Sequence, residues 1–167
     1  TSISTDDAGD MIIMDYCMQA CKAIFRTSDL DSFPTHVYDP SLEAIGSKKL
    51  ILCGTDLIYT QMEETTQWAL PHDLTNFSDI CTLGIGMQDS GTDLPFSDYS
   101  KKLLGYLLNN GNIHSVRDQY TKDRLAEIGI ANVVNTSCPT MWNLTPEHCE
   151  AIRKGKGRYC ITTLNQF

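Results

Sequence analysis

No segment of the chain approaches the roughly 20 apolar residues that a membrane-crossing helix needs, and no leader pattern of basic then apolar residues opens it. Basic charge is scarce as well. Thirteen Lys and Arg face 21 Asp and Glu, for a formal net charge of -8. A nucleic-acid surface needs a cationic stripe to neutralise phosphates, so that class of partner is excluded. The one basic run, Arg153 to Arg158, is short and punctuated by Gly155 and Gly157, and reads as a solvated linker. Seven cysteines are present without a C-x-x-C pair. An odd count without paired spacing argues against a disulfide framework and for small buried hydrophobes in a reducing, cytoplasmic compartment. His36, His72, His114 and His148 show no ligand spacing, so no metal site is expected. A G-x-S-x-G elbow, a Walker loop and a complete G-x-G-x-x-G after a strand are all missing. No cofactor is expected, and the residues nominate no nucleophile.

What remains is ordinary globular material: 167 residues, 41% hydrophobic, enough for one domain with a real core. A polar opening ends at Gly9-Asp10, and a helix is predicted from about Met11 to Phe25 with Ile13, Cys17, Ala20 and Ile24 on its apolar stripe. Asp10 is placed to cap it. Residues 26–40 read as a loop with at most a short strand near His36–Tyr38, followed by one helical turn at Leu42–Gly46. Lys49 to Ile58 is the first strong strand, turning at Gly54-Thr55-Asp56 towards a helix start. Gln61 to Leu70 is predicted helical, with Trp68 covering the sheet. Ile80 to Ile85 is the next strand, and Met87 to Asp93 is a rim loop. Ser97 to Asn110 is the clearest helix, with Tyr99, Leu103, Leu104, Leu107 and Leu108 facing inward. Ala131 to Asn135 gives a strand, Thr145-Pro146 opens a helix, and Arg158 to Leu164 reads as a last strand.

The stretch from Asn112 to Ile130 is the most informative. A short buried strand reaches Val116, Arg117-Asp118 makes a corner, and Asp118 caps a helix that carries Thr121, Leu125 and Ile128 inward. Gly129 suits the left-handed residue that ends such a helix, with Ile130 folding back on Leu125. Strands alternating with helices, without hairpin turns between paired apolar runs, imply an α/β fold: Rossmann-like, mainly parallel, with helices on both faces. In that fold the corners after successive strands share one sheet edge, where ligands bind. Gly9, Asp10, Gly54, Thr55, Asp56, Gly86, Met87 and Arg117 therefore form the candidate binding set. An arginine at that edge suits a carboxylate or phosphate. Its plainer role is a salt bridge to Asp118 or to a neighbouring loop.

The order of these corners resembles the polysaccharide pyruvyl transferase family. The residues that carry the likeness are Asp7-Ala8-Gly9-Asp10-Met11-Ile12, Leu52-Cys53-Gly54-Thr55-Asp56, Gly84-Ile85-Gly86, and Ser115-Val116-Arg117-Asp118 with Leu125, Gly129 and Ile130. Cys53 and Thr55 stand where the family tends to have glycines, and Cys138 where it tends to have aspartate. The resemblance implies one half of a B-type glycosyltransferase fold and transfer of a pyruvyl group from phosphoenolpyruvate to a sugar or polysaccharide hydroxyl as a ketal. It also implies that residues 1–152 are an N-terminal domain, with 153–167 a linker and the start of a second domain or a final strand. The substituted corners leave two alternatives open: a non-catalytic sugar- or nucleotide-binding module, and another nucleotide-sugar-dependent transferase. If the first strand is missing, a bare sheet edge or apolar face would favour a homo-oligomer.

Overall fold

The computed structural model describes residues 7–45, 49–88, 94–152 and 155. Within them lie helices α1 (Ala8–Phe25), α2 (Asp98–Leu108), α3 (Gln119–Glu127) and α4 (Pro146–Ala151). The strands are β1 (Ile51–Cys53), β2 (Asp56–Ile58), β3 (Cys81–Leu83), β4 (Gly86–Met87), β5 (His114–Val116) and β6 (Val133–Asn135). The expected strand at Arg158–Leu164 lies outside the described residues.

Each strand pair among the described residues is parallel: β1 with β3, β2 with β4, and β5 with β6. The expected long strands are there as paths, but each bends at a glycine. β1 continues through Gly54-Thr55 into β2, and β3 through Gly84-Ile85 into β4. The two bends face each other so closely that a Cβ on Gly54 would lie under 3.0 Å from the Gly84 carbonyl oxygen. The backbone ladder survives the bend, since Gly54 N–H donates to Leu83 O and Gly86 N–H to Thr55 O, each at 2.9 Å. Side chains then stitch β3 to β5. Thr82 Oγ1 donates to Ser115 O at 2.8 Å, Gly84 N–H donates to Ser115 Oγ at 2.9 Å, and Ile85 bridges Val116 in parallel.

The main core forms where α2 and α3 meet these strands. Leu57, Ile58, Ile80, Ile85, Leu104, Leu107, Leu108, Val116, Leu125 and Ile130 are buried there. Each such side chain contributes about 1.5–3 kcal/mol of burial. The α3 unit matches its sequence pattern. Asp118 Oδ1 accepts the Thr121 N–H at 2.6 Å, Gly129 takes φ +84, and Ile130 N–H returns to Leu125 O at 3.1 Å.

Several local expectations are corrected. Asp7, rather than Asp10, caps α1, its carboxylate accepting from Gly9 N–H. The stripe that α1 buries is Cys17 and Cys21, while Ile12 and Ile24 are exposed. Gln61–Leu70 is not helical. Turns at Gln61–Glu64 give way to an extended pass in which Ala69 N–H bonds Thr35 O at 2.7 Å and Trp68 is drawn into the core. Tyr99 is exposed, because capping by Ser97 sets a helical phase that places Ser100 inward, where its Oγ accepts the Met62 N–H at 2.8 Å. No helix follows Gly54, and no strand forms at His36–Tyr38. Met87 is a buried strand residue rather than part of a loop, and residues 89–93 of that expected loop lie outside the description.

Candidate functional site

Arg117 leaves the end of β5 with its N–H bonded to Ile85 O at 2.9 Å, which points its side chain across the start of β4 to the start of β2. There Nη2 lies 2.6 Å from Asp56 Oδ1 and makes its aligned hydrogen bond to Oδ2 at 2.8 Å. Nε lies 3.6 Å from Asp118 Oδ2. The guanidinium is thus held between carboxylates from two corners, while Nη1 bonds no other described residue. Arg117 and Asp56 keep 31% and 22% of their side-chain surface exposed, so this is a rim and not a sealed core pair. Burial pushes the Asp56 carboxyl above its ordinary range, and the charge of Arg117 pulls in the opposite direction.

Asp10 belongs to the same rim, close enough for its charge to act on Asp56. It sits buried in the first turn of α1, with Oδ2 3.1 Å from His36 Nε2. The other ring nitrogen, Nδ1, lies 2.8 Å from Gln67 O. A carbonyl can only accept, so Nδ1 donates there and Nε2 is left facing the carboxylate. His36 carries no signal of this role in the sequence, because its partner lies 26 residues away in a different element.

The structure therefore brings Asp10, Asp56, Gly86 and Arg117 together. Gly54 and Thr55 lie just behind, buried, with the Thr55 carbonyl holding both Gly86 N–H and Leu57 N–H. Gly9 is exposed and bonded to Asp7, and the Met87 side chain points into the core. The departures from the family pattern are internal in part: Cys53 and Thr55 are buried, and Cys138 Sγ accepts from Thr140 Oγ1 at 3.1 Å.

Beside the rim, past the ends of β2 and β4, a groove of about 380 Å³ is lined by Tyr59, Thr60, Gln61, Glu64, Thr65, Gln67, Gln88 and Leu94. Burial, and then the charge of Asp56, push the Tyr59 hydroxyl up, which ties the groove electrostatically to the rim. Gln67 ties it to His36 through the bond already described. Sequence reasoning missed these groove residues because amides and hydroxyls in turns carry no motif. A larger, mostly apolar cavity of about 420 Å³ lies away from this rim, between α1, residues 29–35 and β1. Among the described residues no group of three or more His, Cys, Asp or Glu is arranged to hold a metal ion, and no helix is long and apolar enough to cross a membrane.

A family model for polysaccharide pyruvyl transferase matches residues 8–165. The chain belongs to that family. The match takes in every corner of the rim from Gly9 to Arg117. Comparison with curated proteins and with solved structures gives no significant match. Membership in the polysaccharide pyruvyl transferase family thus rests on the family pattern itself, and the chemistry of this member has to be argued from its own residues.

Proposed function

We propose that this chain is the N-terminal, Rossmann-like half of a B-type transferase that moves a pyruvyl group from phosphoenolpyruvate to a sugar, and that it supplies the acceptor wall of the cleft. The observation that carries the reading is a groove of hydroxyls and amides, with the single carboxylate Glu64, beside an acidic rim. Tyr59, Thr60, Gln61, Gln67 and Gln88 offer hydroxyls and amides, the groups that recognise a sugar's alternating donors and acceptors. At the rim Asp56 and Asp118 flank the Arg117 guanidinium, and Asp10 lies close enough for its charge to act on Asp56. That balance suits a neutral polyol and repels a multiply charged donor.

Ketal formation needs a proton delivered to the methylene carbon of phosphoenolpyruvate, two acceptor hydroxyls added at its C2, and phosphate expelled. The hydroxyl protons need a base on the acceptor side. Asp56 fits that role, being raised by burial and anchored by Arg117. Arg117 Nη1 would hold an acceptor oxygen at the rim. Cations for the donor would come from the second half of the cleft, which residues 153–167 would begin. The cytoplasm would provide both the donor and the reducing conditions that suit free thiols.

The test is a titration followed by backbone amide shifts, with phosphoenolpyruvate and with a panel of neutral sugars. The reading expects sugars to move the amides of Tyr59, Gln88, Gly86 and Arg117. In a phosphate-release assay, Arg117→Ala should raise the half-saturating sugar concentration by about tenfold or more, the worth of one charged hydrogen bond. Phosphoenolpyruvate binding at the Arg117 corner would reverse the assignment of donor and acceptor sides. Sugar binding without any phosphate release would favour a binding module.

A further inference from the structure

Cys17 and Cys21 are one turn apart on α1, so their side chains share a face. That face crosses the end of β1, where Cys53 stands. The three buried thiols form a small cluster of their own, walled by Ile13, Leu30, Ile51 and Leu83. All three are free thiols. Cys21 and Cys53 also line the apolar cavity of about 420 Å³ between α1 and β1, large enough to admit a small oxidant.

We infer that this cluster is an oxidative modification site, in which a peroxide converts Cys53 and a cysteine of α1 into a disulfide that staples the helix to the strand. The steps balance. Cys53–SH and hydrogen peroxide give Cys53–SOH and water, as the O–O bond breaks and the sulfur is oxidised. The Cys17 thiol then attacks the sulfenic sulfur, forming S–S and releasing a second water. Two electrons leave the two thiols, and peroxide receives them. Cys21, packed in the same cluster, is placed to exchange into the new disulfide. The consequence is local: Cys53 directly precedes Gly54-Thr55-Asp56, and α1 carries Asp10, so the staple would join two corners of the rim. Formation of the disulfide does not depend on the pyruvyl-transfer reading.

The experiment treats the reduced full chain with graded hydrogen peroxide, blocks the remaining thiols, and maps peptides without reduction. The inference expects a species lighter by two hydrogens, with Cys53 linked to Cys17 or Cys21 and released by dithiothreitol. It also expects Cys53→Ala to leave both helix cysteines as free thiols at the same dose. If that variant fails to fold, the map of the parent chain decides alone, because the linked peptides identify themselves. Free Cys17, Cys21 and Cys53 at doses that oxidise the exposed Cys149 would overturn the inference. So would a linkage that leaves out Cys53, or sulfinic acid at Cys53 without any cross-link.

Discussion

Gly86 has no side chain in the place where Arg117 and Asp56 meet. A Cβ built there would lie under 3.0 Å from both Arg117 Nε and Asp56 Oδ1. The glycine corner and the arginine corner, 31 residues apart, are therefore one device, in which the first clears the space that the second fills. Gly86→Ala should push the guanidinium off Asp56 and leave a partly buried carboxylate short of its partner, at a cost of about 1–3 kcal/mol. Gly105→Ala is the control. It lies in α2, where an added Cβ meets nothing nearer than Asn109 Nδ2 at 3.9 Å. That variant should gain about 0.5–1 kcal/mol, as helix interiors do when glycine is replaced. Urea unfolding of the two variants should give opposite signs, and two equal losses would show that Gly86 has no special role.

Asp56 gives a pH signature of its own. Its carboxyl is raised in the folded chain, by burial first, so the folded state holds the proton over a range where the unfolded chain has already lost it. Stability from this group is complete at low pH and is lost as pH climbs from about 3.9, the unfolded value, through the folded one. Asp56→Asn cannot titrate. The difference in unfolding free energy between parent and variant should therefore shift against the parent across that window and level off above it. A difference that moves the other way would mean that Arg117, and not burial, dominates the carboxylate.

The convergence of corners was legible because parallel pairing follows from strands alternating with helices, and α3 was legible because its cap, stripe and terminal glycine all lie within 19 residues. The turn at Gly54 was legible too, but its continuation into β2 instead of a helix was not, since the Gly84 backbone that presses on it belongs to another element. Gln61–Leu70 had helical composition, and tertiary contacts of Trp68 and Ala69 overrode it. The His36–Asp10 pair and the Cys17, Cys21 and Cys53 cluster are long-range meetings. Periodicity places a residue on a face of its own element, and it does not say which face of another element will come to meet it. The one basic residue of the corner set, Arg117, did come to the rim, but which loop would supply its partner, Asp56, could not be read from either corner.

His114 makes a prediction of the opposite sign at higher pH. It is fully buried on β5, with Nε2 donating to Leu108 O at 2.9 Å and Nδ1 meeting no partner among the described residues. Burial holds its pKa below the ordinary histidine range. The unfolded chain therefore takes up a proton that the folded chain refuses. Stability is complete above about 6.5, the unfolded value, and falls as the pH drops below it, by at most about 1.4 kcal/mol per pH unit for one proton. His114→Gln keeps a donor for Leu108 O and cannot titrate in this range. Urea midpoints measured from pH 7 down to 5 should fall less steeply in the variant, and parallel curves would show that His114 does not set this slope.

The last prediction concerns how the rim is held from beneath. Met87 entered the candidate set as a rim residue, yet it reaches the site through its backbone. Its N–H points away from β2 and donates to Thr121 Oγ1 at 3.0 Å, inside the core. Thr121 is fully buried on the first turn of α3, the same turn whose cap is Asp118. That bond pins β4, with Gly86, to the helix that follows Arg117. Thr121→Val keeps the shape and removes the acceptor, leaving a buried N–H unpaired at a cost of about 1–3 kcal/mol. In a chain of this size each kcal/mol lowers the melting temperature by about 2–4 °C. Thr121→Ser keeps the oxygen and loses only a methyl group, near 0.8 kcal/mol for the lost burial. Serine should therefore be the more stable of the two. If valine melts at or above serine, the methyl group and not the hydrogen bond is what Thr121 contributes, and the link between α3 and β4 must be carried by packing alone.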